Sequence, residues 1–386
     1  MRVGIDLSPL AYGNRTRGTG TYAENLVAAL TARASANEYI VFTSRGLEPY
    51  AIPFAAAPNL QIASLPAPAL GRATPLVSHQ LLLPLRARAL HLDVLHLIAA
   101  PYNPSTPGVP WWTPTPTVIT LFDVMPLRLS ESLLKRARHR RFYNWQLNLC
   151  RRAAALITAS HAAARDLVQY RVAAREKIHV IPLAPPPRAT GEISNAVQTL
   201  TRAAPFLLHV GGNEPQKDQR TVLRAFGLLC RNPAFRHNLI LVGKRHDDDM
   251  PALDATTRAA RRILRLPDVT RADLDALYAR CDALLFPSLY EGFGLPVLEA
   301  LRAGAPVVTT NVAALPEIAG DAALFVEPRN PEAVASAVRR ILDDERTRVK
   351  LSAAGERRAQ EFTWERTAEL TRAVYERAAQ RAKQNE

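Results

Sequence analysis

The sequence predicts an α/β protein made of two doubly wound, Rossmann-like domains. Short apolar segments with strand character alternate with helical segments along nearly the whole chain. The length of 386 residues is sufficient for two domains, and a hydrophobic content of 48% supplies a core for each. A proline run at 185–187, followed by a polar stretch, separates two such alternations.

The first half of the chain alternates strands with helices. Its predicted strands are 2–6, 39–43, 93–97, 118–122, 155–159 and 178–181. Its predicted helices are 21–31, 132–152 and 161–170. We therefore expect a first domain over residues 1–186 and a linker over 187–204.

The second half restarts the same alternation after the polar stretch. Its predicted strands are 206–210, 239–242, 262–266, 283–286, 306–309 and 323–326. A single long helix is predicted from 363 to 380, close to the chain end. We expect a second domain over residues 205–362 and a separate carboxy-terminal helical segment over 363–386.

The net charge of +14 is concentrated in the first half. Residues 1–190 hold 21 Lys and Arg against 9 Asp and Glu, whereas the remainder holds 28 against 26. A dense part, between Lys135 and Arg152, interleaves cations with aromatic residues on a predicted helix. This mixture suits an anionic lipid surface or an anionic acceptor, and similar ingredients serve nucleic-acid binding. A solvated helix rich in arginine is an equally good interpretation.

The most informative stretch is 291–299, Glu-Gly-Phe-Gly-Leu-Pro-Val-Leu-Glu, which follows a predicted buried strand. Pro296 suits the first turn of a helix, and Gly304 suits its end. Backbone N–H groups near Gly294 and Leu295 would be unpaired at that helix start. They could therefore hold a phosphate without a metal.

Two carboxylates flank this helix start. Glu291 precedes the helix and Glu299 lies within it, and both can accept hydrogen bonds from hydroxyl groups. A phosphate flanked by hydroxyls is the shape of a nucleotide sugar. The plain alternative is a helix start with two surface glutamates, which does not explain two glycines and a proline placed at a strand end.

With its flanks, the stretch 286–300 resembles the signature of the retaining glycosyltransferases of family 4, which have the GT-B fold. Seven residues separate the two glutamates, which is the spacing of that family. The amino terminus, the Phe122-Asp123 region, the segment 206–217 and the carboxy-terminal helix follow in the family's order. The resemblance implies two Rossmann-like domains facing across a cleft, the first binding the acceptor and the second the donor, with 363–386 crossing back to the first.

The resemblance also implies roles for individual residues. Glu291 would bind sugar hydroxyls near the reacting carbon, and Glu299 would hold the ribose hydroxyls of the nucleotide. Lys217 would take up charge on the departing diphosphate. The other expected donor-binding residues are Gly18, Gly20, Gly212, Gln216, Gly292, Phe293, Gly294 and Leu295.

The loop 211–218 follows the strand 206–210. Its glycines allow a close approach of backbone to ligand, and Lys217 can meet a diphosphate as a point charge. In the family this loop carries an Arg-Lys pair, and here Gln216 stands at the arginine position. One cation is therefore missing, unless Gln216 contributes a neutral hydrogen bond or Arg220 substitutes. An ordinary surface lysine is the alternative interpretation of Lys217.

Gly18-Thr19-Gly20 opens a Gly-x-Gly-x-x-Ala pattern that could be taken for a dinucleotide fingerprint. That fingerprint follows its strand directly, whereas about a dozen residues separate Asp6 from Gly18, so a Rossmann dehydrogenase is disfavoured. The family instead places this glycine loop towards the donor diphosphate. A helix starting at Thr21 would add partial positive charge.

Phe122-Asp123 departs from the family pattern. Many members have His-Asp at this strand end, with the histidine touching the donor sugar. Since Phe122 cannot hydrogen bond to hydroxyls, either the sugar is recognised differently or activity is reduced. Asp123, expected in the catalytic region, could orient the local backbone, and an ordinary turn aspartate is an equal alternative.

Two further segments have plain interpretations. Asp247-Asp248-Asp249 matches the Asp-x-Asp of metal-dependent glycosyltransferases, but it follows three basic residues on a predicted exposed loop, and we interpret it as a solvated turn. The proline-rich segment 101–116 contains Trp111-Trp112 and reads as a rigid loop. Its paired tryptophans could instead stack on an acceptor sugar or lipid.

These features predict a retaining, metal-independent hexosyltransferase of mannose or glucose type. It would use a nucleotide-sugar donor, a glycan or lipid-linked acceptor, and no cofactor, with no nucleic acid expected. A catalytically impaired nucleotide-sugar-binding protein and a basic membrane or nucleic-acid adaptor are the alternatives. Three cysteines without a pairing pattern, a first strand in place of a signal peptide, and no long apolar run predict a cytoplasmic protein, at the inner membrane face if lipid binds.

Overall fold

The structure is a computed structural model and describes residues 1–7, 18–32, 36–44, 57–65, 77–98, 108–212, 214–244 and 259–384. The chain divides into two compact units. One unit comprises Met1–Leu183 together with Thr363–Glu386, and the other comprises Ala184–Phe362. Each unit contains one parallel sheet with helices, which confirms the predicted α/β class.

The first unit is built on a seven-stranded sheet in the order β3-β2-β1-β4-β5-β6-β7. Every pairing in it is parallel. The strands are β1 Arg2–Asp6, β2 Glu38–Ser44, β3 Leu60–Leu65, β4 Val94–Ile98, β5 Thr117–Thr120, β6 Ala155–Thr158 and β7 Ile178–Val180. Strands β4, β5 and β6 are buried along their whole length, as expected when helices cover both faces.

The helices of the first unit lie between these strands in the chain. They are α1 Gly18–Thr31, α2 Leu83–Ala89, α3 Met125–Arg128, α4 Ser130–Leu133, α5 Ala137–Cys150 and α6 His161–Gln169. A π-helical turn over Ser78–Leu82 leads into α2. The hydroxyl of Ser160 caps α6 by accepting from the Ala163 N–H at 3.0 Å.

The second unit has a six-stranded parallel sheet in the order β10-β9-β8-β11-β12-β13. The strands are β8 Phe206–Val210, β9 Asn238–Val242, β10 Ile263–Leu266, β11 Ala283–Phe286, β12 Val307–Thr310 and β13 Ala323–Val326. From the neighbouring strands β8 and β11 the order continues in opposite directions, through β9 to β10 on one side and through β12 to β13 on the other. Ligands of doubly wound sheets bind at such a switch point, beyond the carboxyl ends of the two strands.

The helices of the second unit have well-defined starts. They are α7 Asn195–Ala203, α8 Gln219–Cys230, α9 Arg271–Arg280, α10 Leu295–Arg302, α11 Leu315–Ala319, α12 Pro331–Asp343 and α13 Glu345–Gln360. Asp218 caps α8, Asn330 caps α12, and Thr270 with Asp273 forms a capping box at α9. The N-cap of helix α10 is Gly294, which has no side chain that could cap it.

The last helix, α14 (Trp364–Gln384), belongs to the first unit through a buried polar chain. The Tyr375 hydroxyl lies 2.7 Å from His96 Nδ1, and His96 Nε2 lies 2.8 Å from Thr120 Oγ1. The hydroxyl of Tyr22 joins the chain at 3.0 Å from Thr120 Oγ1. Burial lowers the pKa of His96 to about 3, so this imidazole is neutral and serves as a structural hydrogen-bonding group.

Three expectations differ from the structure. The polar stretch 187–204, predicted as a linker, lies in the second unit and contains α7, because Ser194 caps a helix there. The helix predicted over 132–152 is divided into α4 and α5, because Leu134 is buried and Arg136 is extended. Strand β3 and the helical segment from Ser78 to Ala89 were not predicted from the sequence.

The buried polar chain predicts a large stability effect at one tyrosine and a small one at another. Replacing Tyr375 by Phe removes one of the two hydrogen-bond partners of a fully buried imidazole, so the free energy of unfolding should fall by about 1–3 kcal/mol. The matched control is Tyr39→Phe, because the Tyr39 hydroxyl is equally buried and has no hydrogen-bond partner among the described residues. Urea titrations of the two variants giving equal losses would contradict this account of α14.

Candidate active site

The loops that follow β8 and β11 meet at the switch point of the second sheet. Strand β8 ends at Val210 and β11 ends at Phe286, and the two strands are paired side by side. The two loops are tied together directly, because the Leu289 N–H donates to the Gln216 carbonyl oxygen at 2.7 Å. Both loops carry residues that the sequence predicts to bind the donor.

Lys217 lies at the centre of this region. It ends a short 3-10 turn, Pro215–Lys217, just before Asp218 caps α8. Its ammonium group donates to Glu291 Oε1 at 2.7 Å and lies 4.6 Å from the centroid of the Phe286 ring. The side chains of Lys217 and Glu291 are 16% and 14% exposed, so the pair is shielded but reachable from solvent.

The glycines of the β8 loop make room for these side chains. Gly211 has φ +142°, and a Cβ there would lie 3.1 Å from Cδ of Lys217. A Cβ on Gly212 would lie 2.6 Å from both the Glu214 carboxylate and the Lys244 carbonyl oxygen. Side chains at either position would therefore displace the loop or the lysine.

The start of α10 provides positive electrostatic potential beside the same loop. Gly294 is the N-cap with φ +110°, and a Cβ there would lie 2.9 Å from Leu315. No side chain among the described residues caps this end, and Pro296 in the first turn has no N–H to offer. Leu295 thus begins a helix whose dipole favours a negative group in front of it.

Three buried polar atoms on these loops have no hydrogen-bond partner among the described residues. They are Oε2 of Glu214, Oε1 of Gln216 and Oγ of Ser288. Native proteins leave few buried polar atoms unsatisfied, and each such atom requires an explanation. Two of these oxygens can only accept hydrogen bonds, and the third can also donate.

Glu299, the second glutamate of the 291–299 stretch, is buried in α10 with only 6% of its surface exposed. Its carboxylate accepts a hydrogen bond from Arg271 Nη1 at 2.6 Å. Burial and the nearby Glu299 charge hold the pKa of Tyr278 well above its usual range, so its hydroxyl stays neutral beside the carboxylate. Arg271 is not among the residues predicted from the sequence, because it opens α9 and gives no local signal of its pairing.

His209 is a buried residue of β8, the strand that leads into the Lys217 loop, and it is uncharged. Its Nδ1 lies 2.9 Å from the Leu285 carbonyl oxygen, which requires a proton on that nitrogen. Burial lowers the pKa of His209 to about 4, and the nearby charge of Lys217 acts in the same direction. The imidazole is therefore neutral at pH 7 and does not add a second cation near Lys217.

The remaining expected residues of the second unit are all buried near α10. Gly292, Phe293 and Gly294 are buried, and the Phe293 ring packs edge-to-face on Phe362 at 6.0 Å. The backbone N–H of Ala314 donates to the Glu291 carbonyl oxygen at 3.4 Å, which connects the loop to the entry of α11.

The expected residues of the first unit lie at helix and strand ends. Gly18 and Gly20 form the first turn of α1, which starts three residues earlier than predicted, so they are not a loop before the helix. Phe122 packs edge-to-face on Tyr22 with 5.0 Å between ring centroids. Asp123 accepts from the Met125 N–H at 2.8 Å, which is a turn-orienting contact.

Other interpreted segments fall partly outside the described residues. Asp247, Asp248 and Asp249 lie outside them, as do residues 101–107 of the proline-rich segment. Trp111 and Trp112 are described and are 52% and 40% exposed. Within the described ranges, no group of three His, Cys, Asp or Glu residues is arranged to hold a metal ion.

Comparison with known proteins assigns the chain to a family. The profile of "Glycosyltransferase Family 4" matches residues 16–184, and that of "Glycosyl transferases group 1" matches residues 193–358. The chain belongs to the family 4 glycosyltransferases. The two matches fall on the two units, and the second includes Lys217, Glu291 and Glu299.

Curated relatives of this glycosyltransferase include mannosyltransferases. The O-antigen chain mannosyltransferase B of Escherichia coli is 39% identical over 162 residues, covering 42% of this chain and 42% of that protein. The serotype-specific mannosyltransferase WbdA of Escherichia coli is 29% identical over 296 residues, covering 70% of this chain and 34% of that protein. The chain therefore spans less than half the length of these relatives.

A solved structure confirms the fold of this glycosyltransferase. The Anabaena protein Alr3699/HepE in complex with UDP-glucose matches with a TM-score of 0.65 at 17% identity, covering 100% of both chains. The likeness extends over both Rossmann-like units and shows the GT-B fold that the resemblance implied.

The close contact between Gly211 and Lys217 predicts a specific glycine effect. Gly211→Ala should lower the free energy of unfolding by about 1–2 kcal/mol, because it combines a positive φ with a Cβ contact of 3.1 Å. Gly191→Ala is the matched control, since a Cβ there would meet its nearest neighbour at an ordinary 3.9 Å. Thermal unfolding that shifts equally in both variants would show that the Gly211 conformation is not constrained.

Proposed function

We propose that this glycosyltransferase transfers a hexose of mannose or glucose type from a nucleoside diphosphate sugar, with retention of anomeric configuration and without a metal. The observation that supports this proposal is the arrangement at the switch point of the second unit's sheet, between β8 and β11. There Lys217, which is paired with Glu291 at 2.7 Å, lies on the loop after β8. That loop is hydrogen-bonded to the loop after β11, which leads to the start of α10. A cation and a helix amino terminus suit a diphosphate, and the carboxylates suit sugar hydroxyls.

The reaction requires a group that stabilises the departing diphosphate. The bond between the anomeric carbon and the phosphate oxygen breaks, and its electron pair stays on the diphosphate. Lys217 and the helix start at Gly294 and Leu295 would stabilise this growing negative charge, which is how preorganised charges accelerate such reactions. The acceptor hydroxyl forms the new bond to the anomeric carbon on the face that the diphosphate leaves, and its proton passes to the departing phosphate, so the anomeric configuration is retained.

The carboxylates and unsatisfied oxygens would recognise the donor's hydroxyls. Glu291 has one oxygen bound to Lys217, and the other oxygen remains for a sugar hydroxyl. Glu214, Gln216 and Ser288 add three buried oxygens that lack partners among the described residues. Gln216 thereby contributes a neutral hydrogen-bonding group at the position where the family has a second cation.

The choice of sugar and acceptor is supported by the relatives. Mannose is favoured because two of the relatives that match this chain are, by name, an O-antigen chain mannosyltransferase and a serotype-specific mannosyltransferase. A nucleotide-sugar donor is supported by the UDP-glucose complex of the Anabaena protein with the same fold. We accordingly propose a glycan or lipid-linked glycan as the acceptor.

Kinetics of three variants test these assignments. Lys217→Ala should lower kcat by about 100- to 1,000-fold, because it removes one stabiliser of the leaving group. Glu299→Gln should mainly raise the donor KM by about 10-fold, because it weakens hydrogen bonds from hydroxyls to a charged acceptor. Lys350→Ala, which removes an exposed cation of α13, is the control and should behave as wild type.

The same assay separates the proposal from its alternative. The donor panel contains mannose and glucose diphosphates of each nucleoside, with and without EDTA, and nuclear magnetic resonance reports the anomer formed. Turnover unaffected by EDTA with a retained anomer supports the proposal, and wild-type kinetics in Lys217→Ala contradict it. Thermal stabilisation by a nucleotide sugar without turnover would support the impaired, binding-only protein that Phe122 and Gln216 suggested.

We further propose that the first unit binds an anionic membrane surface, where a lipid-linked acceptor would be held. One side of α5 is exposed and presents Arg138, Arg141 and Trp145 at helical spacing. Trp145 is 40% exposed and packs on Phe142 at 5.7 Å, and Arg152 donates to the Trp111 carbonyl oxygen at 2.7 Å. Exposed cations beside exposed tryptophans are the composition of interfacial helices.

The charges of this region are not neutralised internally. Its seven cations are exposed, and none forms an ion pair with a carboxylate in the part of the chain that the structure describes. They are Lys135, Arg136, Arg138, Arg140, Arg141, Arg151 and Arg152. None of the described helices has the length and apolarity needed to cross a bilayer, so the proposal concerns surface binding alone.

Vesicle sedimentation tests the surface. The double variant Arg138→Ala/Arg141→Ala should bind vesicles with 30% anionic lipid about 30-fold more weakly, at about 1 kcal/mol for each cation near the surface. The control Arg339→Ala/Lys350→Ala carries the same charge change on exposed positions of the second unit. Equal binding by both double variants, or tight binding to duplex DNA without vesicle binding, would overturn the membrane assignment.

A further inference from the structure

The second motif glutamate has a cationic partner that the sequence comparison does not assign. Arg271, the first residue of α9, donates from Nη1 to Glu299 Oε1 at 2.6 Å. The Arg271 side chain is 29% exposed and that of Glu299 is 7% exposed, so the contact is shielded from water. A shielded, charge-assisted hydrogen bond of this length fixes the orientation of the carboxylate.

Arg271 is itself held in place by a second carboxylate. Its Nε donates to Asp275 Oδ1 at 3.0 Å, one turn along α9. Asp275 also accepts from the Ala189 N–H at 2.9 Å and from Arg302 at 3.4 Å. The guanidinium therefore bridges two carboxylates, one anchored to the chain at Ala189 and the other the motif glutamate in α10.

The electrostatics favour a permanently charged arginine at this position. Burial by itself disfavours the cation, but the carboxylates of Glu299 and Asp275 outweigh it and raise the pKa of Arg271. A glutamate as buried as Glu299 would be costly to keep ionised without such a partner. Arg271 supplies that partner for Glu299 inside the fold.

Arg271 engages Oε1 of Glu299, and the neutral Tyr278 hydroxyl lies beside the same carboxylate. Because each carboxylate oxygen has two acceptor lone pairs, the second oxygen can still accept from a ligand. We propose that Arg271 is a positioning residue that aims this second oxygen at the ribose hydroxyls of the donor nucleotide, an inference that rests on the proposed function. It acts through Glu299 and needs no contact with the sugar being transferred. Its loss would therefore weaken recognition of the ribose and leave the transfer step much less affected.

The test compares ribose with deoxyribose. Isothermal titration first identifies which of the diphosphates of adenosine, guanosine, uridine and cytidine binds best to the wild type, and then measures its 2′-deoxy and 3′-deoxy forms. We expect the wild type to prefer the ribose form by about 10-fold or more, as expected when an ionised acceptor loses a hydroxyl partner. In Arg271→Met this preference should fall to less than about threefold, with donor KM raised and kcat nearly unchanged.

Two further variants distinguish positioning from general stability. Arg302→Met removes a cation of the same network that has no hydrogen bond to Glu299, so it should keep the ribose preference. Arg271→Lys keeps the charge but not the bridge between two carboxylates, so it should restore part of the preference. It also serves as the informative variant if Arg271→Met does not fold.

The outcomes separate this inference from the function on which it rests. Wild-type protein that binds none of the four diphosphates overturns the proposed function. Wild-type protein that binds one of them but accepts the deoxy forms equally well overturns the assignment of Glu299 to the ribose, and the inference with it. If Arg271→Met keeps the full ribose preference, or if Arg302→Met loses as much of it as Arg271→Met does, only the proposed role of Arg271 is overturned.

Discussion

The candidate site depends on the reversal of strand order between β8 and β11. These strands are neighbours in a parallel sheet, but the strands on either side of them are added in opposite directions. No connection has to cross their carboxyl ends, so the two following loops can approach each other there, as the bond from Leu289 to Gln216 shows. Lys217 and Glu291, 74 residues apart in the chain, become hydrogen-bonded for this topological reason.

Within this frame, local backbone geometry determines which groups face the region. Gly211 has a positive φ and no Cβ, which leaves room for the Lys217 side chain. Gly294 starts α10, and no side chain in the described part of the chain caps it. Asp218 adopts a left-handed conformation with φ +43° to cap α8 directly after Lys217. Two short loops therefore contain the cap of α8, the cation Lys217 and the start of α10.

Much of the fold could be predicted because buried parallel strands leave a strong apolar signal. Strands such as β8 and β11 were predicted with their observed bounds. Strand β3 was missed because it is the edge strand, and its Ile62 is 48% exposed, so neither an apolar run nor a clean alternation marks it. The break between α4 and α5 was missed because one buried leucine in a charged segment gives no helix-stop signal. The Arg271–Glu299 contact could not be predicted because it depends on how α9 and α10 pack.

The pairing of both motif glutamates has a consequence for how ligands would arrive. Lys217 offsets Glu291 and Arg271 offsets Glu299, so these four side chains carry no net charge together. Opposite charges held this close produce little field beyond a Debye length, which is about 8 Å at physiological ionic strength. These residues would thus discriminate among molecules already in contact with them, while contributing little to long-range capture of anions from solution. Added salt should accordingly alter the encounter rate through other parts of the molecule and not through this quartet.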